Sequence, residues 1–457
     1  MENLDIDQIK KYYKDFFNSG QVSLLSKFSF SKEIITSALG CYIFTKSGKK
    51  IFDMTSGFGT QNLGYNNPTI NEIRIQYLKD NRLPFSRLFF DENIARLSKK
   101  IAEMLPDSLQ YSFFANSGAE ANEGAIKLAY KYYGGTRNLL LHNKNSFHGK
   151  LIATSQITDS PEVYFDFQKS LKTLKLDFFD LATFEETLEE HGNKIYAVIL
   201  EPFSASKVEY FDYTHLLKIL ELCKKYKIVT IFDEVYSGFF RTGDLFYFMG
   251  DEEVVPDIIT YSKSFGGGIA SISGYTTKKD IFNQAYGKQK DALLHSSTYS
   301  NYIEECAIAL KTLEIYSSET FTLQIKNNAK KLQKELNKLN DIKNIEHIKG
   351  RGFHYGIKLK HIKFSNIQPL LNLIPLEITS DPRFIEKLQI SSIINELYHS
   401  HNILSYAGFN DEIKLIISPP VITTNEEIEY IVNALREVLS QKNISLVSKF
   451  VKNFLVN

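Results

Sequence analysis

Residues 228–243 read IVTIFDEVYSGFFRTG, and residues 257–268 read DIITYSKSFGGG. Each stretch starts as a short, nearly continuous apolar run rich in β-branched residues and ends abruptly in polar residues or glycine. Such a run suits an inner strand of a parallel sheet, where neither face meets water. Similar runs occur at 110–114 (QYSFF), 137–142 and 195–200 (IYAVIL). Between them lie stretches of helical periodicity at 119–133, 180–191 and 213–226. The alternation predicts an α/β architecture with a parallel or mixed sheet covered on both faces. Before this region, 4–18 has helical character, and 41–53 (CYIFTKSGKKIFD) predicts two short strands around Lys46-Ser47-Gly48-Lys49. After about 302 the pattern changes to a long helix (303–340), strands (347–360), a helix (384–400), two short strands and a final helix (425–440). That is α+β character. The expected division is an N-terminal segment 1–56 belonging to a small domain, a large domain 57–300, and a small α+β domain 301–457.

Bulk composition narrows the function classes. The 457 residues are 43% hydrophobic and 23% charged, as in ordinary globular proteins. With 54 basic against 53 acidic residues, the chain has no electrostatic bias toward nucleic acid or an anionic membrane. No apolar run reaches the roughly 18 residues needed to cross a bilayer, and the N-terminus lacks the apolar core of a secretory signal. Cys41, Cys223 and Cys306 show no metal-ligand spacing and an odd count, which fits a reducing compartment. A cytoplasmic protein is expected.

The chemistry-bearing residues sit where strands end. Asp233 follows the run 228–232, and Lys263 follows 257–261, thirty positions later, with three glycines close behind. Ligands of open α/β sheets lie beyond the carboxyl ends of the strands, so both side chains face a ligand rather than the core. Upstream, Phe114-Ala115-Asn116-Ser117-Gly118-Ala119 joins a strand to a helix. Free N–H groups and the positive dipole end of a helix start, left bare by small residues, suit a phosphate. Taken singly, each feature has a plainer reading: a turn aspartate, a solvated lysine, a helix cap.

Together the motifs NSGAEANEGAIKLAY (116–130), SFHGK (146–150), LEP (200–202), IFDEVYSGFFRTG (231–243), SKSFGGG (262–268), STYSN (297–301) and SPPVIT (418–423) resemble the class III, or omega-type, aminotransferases of pyridoxal-phosphate fold type I. They run in order over most of the chain. GFGTQNLGYNNP (57–68) and FHGK further resemble the putrescine and ornithine aminotransferases. The resemblance implies a large domain with a mostly parallel, seven-stranded-type sheet between helices, plus a smaller α+β domain. It implies pyridoxal 5'-phosphate held as a Schiff base by Lys263, which then moves the substrate proton. Asp233 would face the pyridine nitrogen, Phe147 and Val235 would cover the two ring faces, and Ser117, Gly118 and Ala119 would cradle the phosphate. His148 would lie at the ring edge, Tyr236 would donate to the ring oxygen, and Thr298 would reach the phosphate of a neighbouring subunit in a homodimer. The substrates implied are small amines or amino acids and keto acids.

Three departures from that family concern substrate. After LEP the sequence is Phe203-Ser204-Ala205-Ser206-Lys207, so Ser206 stands where the family has its second glutamate. Ile416 occupies the position of an arginine that takes a substrate carboxylate in the family. Tyr236 replaces a glutamine. Losing the glutamate and arginine together is coherent, because one member alone would be a buried charge without its partner. Either the usual glutamate pair is not the substrate, or Arg241, Lys207 or Arg351 supplies another anchor.

Two further readings remain open at this level. Fold type I also supports an aminomutase, a decarboxylating transaminase or a racemase, and a non-catalytic scaffold would need neither Lys263 nor Asp233. The tail 443–457 is amphipathic and expected to pack back on the protein. Tyr12, Tyr13, Phe16 and Phe17 are read as packing residues.

Overall fold

In the computed structural model, which describes residues 4–159, 170–361 and 382–455, Val229–Asp233 is a strand buried at all five positions. It pairs in parallel with Ile195–Leu200 on one side and Ile258–Tyr261 on the other. These three form the centre of a seven-stranded sheet ordered 109–115, 273–278, 258–261, 229–233, 195–200, 139–143, 172–176. Only Ser273–Lys278 runs antiparallel to its neighbours. Helices Gly118–Tyr132, Leu181–His191 and Tyr213–Lys225 cover the sheet, each started by a side-chain cap from Ser117, Asp180 or Asp212. Ile231, Phe232 and Ile259 are fully buried. Truncating one such side chain to alanine costs about 2–5 kcal/mol.

The hairpin expected at 41–53 forms, as Tyr42–Thr45 and Lys50–Asp53. It belongs to a small sheet in which Ile403–Leu404 lies parallel to Lys50–Asp53. The C-terminal half also carries an antiparallel sheet ordered 345–351, 354–359, 413–417, 406–409, packed against helices Phe384–His401 and Glu319–Asn337.

Several expectations need correction. The single helix 303–340 is two, Ile303–Tyr316 and Glu319–Asn337. The break falls at Ser317-Ser318, where the Ser317 hydroxyl bonds back to the Leu313 carbonyl and Ser318 takes extended backbone angles. The helical character expected over 4–18 is present, as an α-helix over Ile6–Tyr12 continued by a π-helical turn over Tyr13–Phe17, and a further helix capped by Asn18 follows. Ser273–Lys278 escaped sequence reading because its SGYTTK run is polar. Its Thr276 is nonetheless fully buried, and it bonds Ser112 at 2.8 Å and Tyr261 at 2.9 Å. The tail forms helix Asn443–Leu455, whose Val447, Phe450 and Val451 pack on Leu388 and Phe28, while Ile444 is exposed. The last two residues of that tail lie outside the described residues.

Candidate active site

Asp233 ends its strand with a carboxylate that is only 4% exposed. Burial of that kind requires donors, and three converge: the Val235 N–H at 3.0 Å, Nδ1 of His148 at 2.7 Å and the Asn122 amide at 2.7 Å. Asn122 lies one turn into the 118–132 helix. It donates a second bond to the His148 carbonyl at 2.8 Å and accepts one from the Thr260 hydroxyl at 2.6 Å. The carboxylate can only accept, so Nδ1 of His148 carries hydrogen. Its Nε2 is buried and has no hydrogen-bond partner among the described residues.

Lys263 follows the next strand, in a left-handed backbone conformation (φ +51°) that costs a non-glycine residue of order 1 kcal/mol or more. Its Nζ donates to the Phe58 carbonyl at 3.1 Å and stands 4.7 Å from the centre of the Tyr236 ring. Burial brings its ammonium down to about 8, against the opposing pull of Asp233 and Glu201. A larger share of Lys263 is therefore a free amine at neutral pH than for an exposed lysine, and that is the nucleophilic form. Glu201, buried and bonded by the Phe147 N–H at 2.9 Å, is pushed up to about 7 by desolvation.

The third element is the start of the 118–132 helix. Ser117 caps it by accepting from the Glu120 N–H, and the N–H groups of Gly118 and Ala119 have no partner within the helix. A Cβ on Gly118 would stand 2.7 Å from a Val235 methyl and 3.5 Å from Cβ of Ser262. The helix start at Gly118 thus touches both Val235, two residues after Asp233, and Ser262, the residue before Lys263. A Cβ on Gly149, likewise, would meet Ala119 at 2.6 Å, which brings the 147–149 loop onto the same helix start.

The family pattern described as aminotransferase class-III matches residues 29–439. The chain belongs to the class-III aminotransferases. A Bacillus cereus acetylornithine aminotransferase is 31% identical over 419 residues, covering 89% of this chain and 95% of the relative. The fold is shared with the adenosylmethionine-8-amino-7-oxononanoate aminotransferase of Methanocaldococcus jannaschii, at 25% identity and a TM-score of 0.80, covering 95% of this chain and 99% of that one. An omega transaminase of Pseudomonas jessenii, solved in complex with PMP, gives a TM-score of 0.80 at 22% identity, with 99% of each chain covered. This aminotransferase is an enzyme of pyridoxal 5'-phosphate, with the fold type I architecture.

The side chains fit that cofactor. A buried carboxylate, a lysine with a lowered ammonium and a helix start with free N–H groups gather around one glycine contact that admits no side chain. When bound, the cofactor supplies an electrophilic carbon and an electron-withdrawing ring.

Other residues singled out from the sequence fall in different places. Phe147 is 38% exposed. The Tyr236 hydroxyl bonds Nδ1 of His354 at 2.7 Å and Ser418 at 2.8 Å. Thr298 lies in an exposed turn and is not brought to the others within one chain. Sequence reading missed Asn122, Thr260, His354, Tyr406 and Phe58 as parts of this site. A fully buried asparagine in an alanine-rich helix was the signal available for Asn122.

The aminotransferase's alternative carboxylate anchors are all engaged elsewhere. Arg241 is fully buried and bonds the Pro419 carbonyl at 2.7 Å, the Phe353 carbonyl at 3.3 Å, Ser56 at 2.6 Å and the side chain of Asn62. Arg351 pairs with Asp244 at 2.8 Å, and Lys207 pairs with Glu209. Ile416 is buried in the strand 413–417, and Ser206 accepts a bond from Asn410 at 2.9 Å.

Proposed function

We propose that this aminotransferase takes its amino group from amines that carry no carboxylate on the reacting carbon, with Lys263 as the cofactor-bearing and proton-moving residue. In this reading Asp233 faces the pyridine nitrogen, held by His148 and Asn122. Ser117, Gly118 and Ala119 receive the phosphate, and Phe147 and Val235 cover the ring faces. The observation that carries the substrate reading is the state of Arg241, Arg351 and Lys207, each already bonded within the chain, beside an isoleucine at 416. A desolvated carboxylate without a cation would be costly there. Phe58 and Tyr406, packed edge to face at 5.0 Å, offer apolar surface near the lysine instead.

The reading also includes a cytoplasmic homodimer in which Thr298 serves the partner's site. Leu88, Phe89 and Phe90 are at least 74% exposed, and Leu293 and Tyr299 are exposed beside Thr298. Large apolar side chains left exposed in this way suit a subunit interface. Cys41, Cys223 and Cys306 are all unpaired and buried, in keeping with a reducing compartment. No helix among the described residues is long and apolar enough to cross a membrane.

The test is a half-reaction. The cofactor-loaded enzyme is mixed with glutamate, N-acetylornithine, an alkylamine or an arylalkylamine, and loss of the visible band of lysine-bound cofactor is followed. The amines are expected to discharge the enzyme faster than either amino acid. Faster discharge by glutamate or acetylornithine overturns the substrate reading. A Lys263→Ala variant that still acquires the lysine-bound band overturns the assignment of the lysine.

A further inference from the structure

Tyr236 lies against Lys263, but its hydroxyl does not face it. His354 is fully buried, and one ring nitrogen, Nε2, lies 3.0 Å from the Ala205 carbonyl. A carbonyl can only accept, so Nε2 carries the hydrogen. Desolvation holds this imidazole neutral, down to about 3, which leaves Nδ1 as a bare acceptor. The Tyr236 hydroxyl therefore donates to Nδ1 at 2.7 Å. Its oxygen then accepts from Ser418 at 2.8 Å, and the Ser418 oxygen accepts from the Arg241 guanidinium at 3.3 Å. The chain of bonds has one direction, from Arg241 to Ala205. It commits the only proton of Tyr236 and locks the plane of the ring.

The locked ring presents its face to the lysine, with Nζ 4.7 Å from the centroid. The negative face of an aromatic ring attracts an ammonium at this range. The Phe58 carbonyl accepts from the same Nζ at 3.1 Å. Gly59 closes the third side: a Cβ there would stand 3.1 Å from the Tyr236 ring and 3.4 Å from Cδ of Lys263. The backbone of this turn is held in left-handed angles at Ser56, Gly57, Phe58 and Gly59. Ser56 and Phe58, the two of these that are not glycine, hold such angles only where the surroundings enforce them.

We infer that Tyr236 is a positioning residue, and that its ring face and the Phe58 carbonyl form a dock for the Lys263 ammonium whenever the lysine is not bonded to the cofactor. This rests on Lys263 being the cofactor-bearing residue. The other charged or titratable groups that act on Lys263 are Asp233 and Glu201, which favour its proton, and Arg241, which opposes it. His354 is neutral, and the Tyr236 hydroxyl is taken up by His354 and Ser418, so the ring acts through its face. The dock holds the free amine within reach of the site between the release of the cofactor bond and its return.

The pyridoxamine-phosphate form of the full-length enzyme has a free Lys263 and is the form to probe. A short pulse of acetic anhydride at pH 7, read at Lys263 by peptide mass spectrometry, reports the unprotonated, undocked amine. Tyr236→Leu removes the ring and is expected to speed modification of Lys263 by about tenfold, within the range of a desolvated cation–π contact. Tyr236→Phe keeps the ring and is expected to stay within about twofold of the natural enzyme, because only the hydroxyl's bonds to His354 and Ser418 are lost. Tyr236→Met carries the same comparison should the leucine variant not fold. Equal acceleration in the Phe and Leu variants, or none in either, overturns the dock. The lysine-bound cofactor band in each variant separates the two claims: its presence keeps Lys263 as the cofactor residue even where the dock fails, and its absence in all forms, the natural enzyme included, removes the underlying reading instead.

Discussion

Nδ1 of His148 sits 2.7 Å from Oδ2 of Asp233, and the Asn122 amide reaches the same oxygen at 2.7 Å while also bonding the His148 carbonyl. Asn122 thereby clamps the acid to the loop that carries Phe147. Removing it by Asn122→Ala leaves the Thr260 hydroxyl and the His148 carbonyl without partners in a buried setting. Each such loss costs about 1–3 kcal/mol. Urea unfolding of the cofactor-free protein is expected to show that destabilisation, and equilibrium dialysis is expected to show weaker cofactor binding. A variant as stable as the natural chain with unchanged affinity would contradict the clamp.

That clamp shows where sequence reading reached its limit. Asp233 and Lys263 were legible because strand ends in an α/β sheet face the ligand, and the turn at 117–119 was legible because small residues at a helix start leave N–H groups free. Asn122 was not. Its role depends on which helix face meets the sheet, and on Thr260 arriving from a strand 138 residues away in sequence. The partners of the Tyr236 hydroxyl within the chain were not legible either, since His354 and Ser418 come from the antiparallel sheet and the loop after it. The fold was readable for the same reason in reverse: continuous apolar runs reveal inner parallel strands, while the antiparallel 273–278 strand, built on buried threonines, does not.

Gly118 is a steric requirement. Gly118→Ala would bring a methyl group to 2.7 Å from a Val235 methyl, far inside contact distance. Cofactor affinity is expected to fall by about tenfold or more, as strain of 1–3 kcal/mol implies. Gly118→Ala with Val235→Ala removes the clash and is expected to recover part of the affinity. Affinity measured by return of the visible band decides the matter, and no recovery in the double variant would place the constraint elsewhere.

Lys263 gives the cofactor-free enzyme a pH-dependent stability. Its ammonium is lowered from 10.5 to about 8 in the fold, mainly by burial. Between those values the unfolded chain binds the proton and the native chain does not, so the unfolded state holds more protons. Stability then rises with pH from about 8 to about 10.5, and below 8 the lysine contributes a constant penalty. Comparison of Tm for the natural protein and Lys263→Met at pH 7 and pH 10 tests this. The methionine variant is expected to gain most at pH 7, and the difference should shrink by pH 10. An equal difference at both values would contradict the lowered ammonium.

Ile416 and Ser206 provide the last test, because both lie beside Gly408: a Cβ there would stand 3.4 Å from the Ile416 side chain and 3.0 Å from the Ser206 carbonyl. Ile416→Arg alone places a guanidinium in a position now 1% exposed, with no carboxylate offered to it. Such an unpaired charge costs about 3–5 kcal/mol. Ser206→Glu alone buries an acid that displaces Asn410 from its present bond. The double variant supplies each charge with its partner, so the two changes together are expected to cost less than their sum by 1 kcal/mol or more, measured by urea unfolding in a double-mutant cycle. It is also expected to raise discharge of the enzyme by glutamate relative to amines. Strict additivity of the two costs would mean that positions 206 and 416 do not meet, and that the carboxylate preference of this aminotransferase is set by other residues.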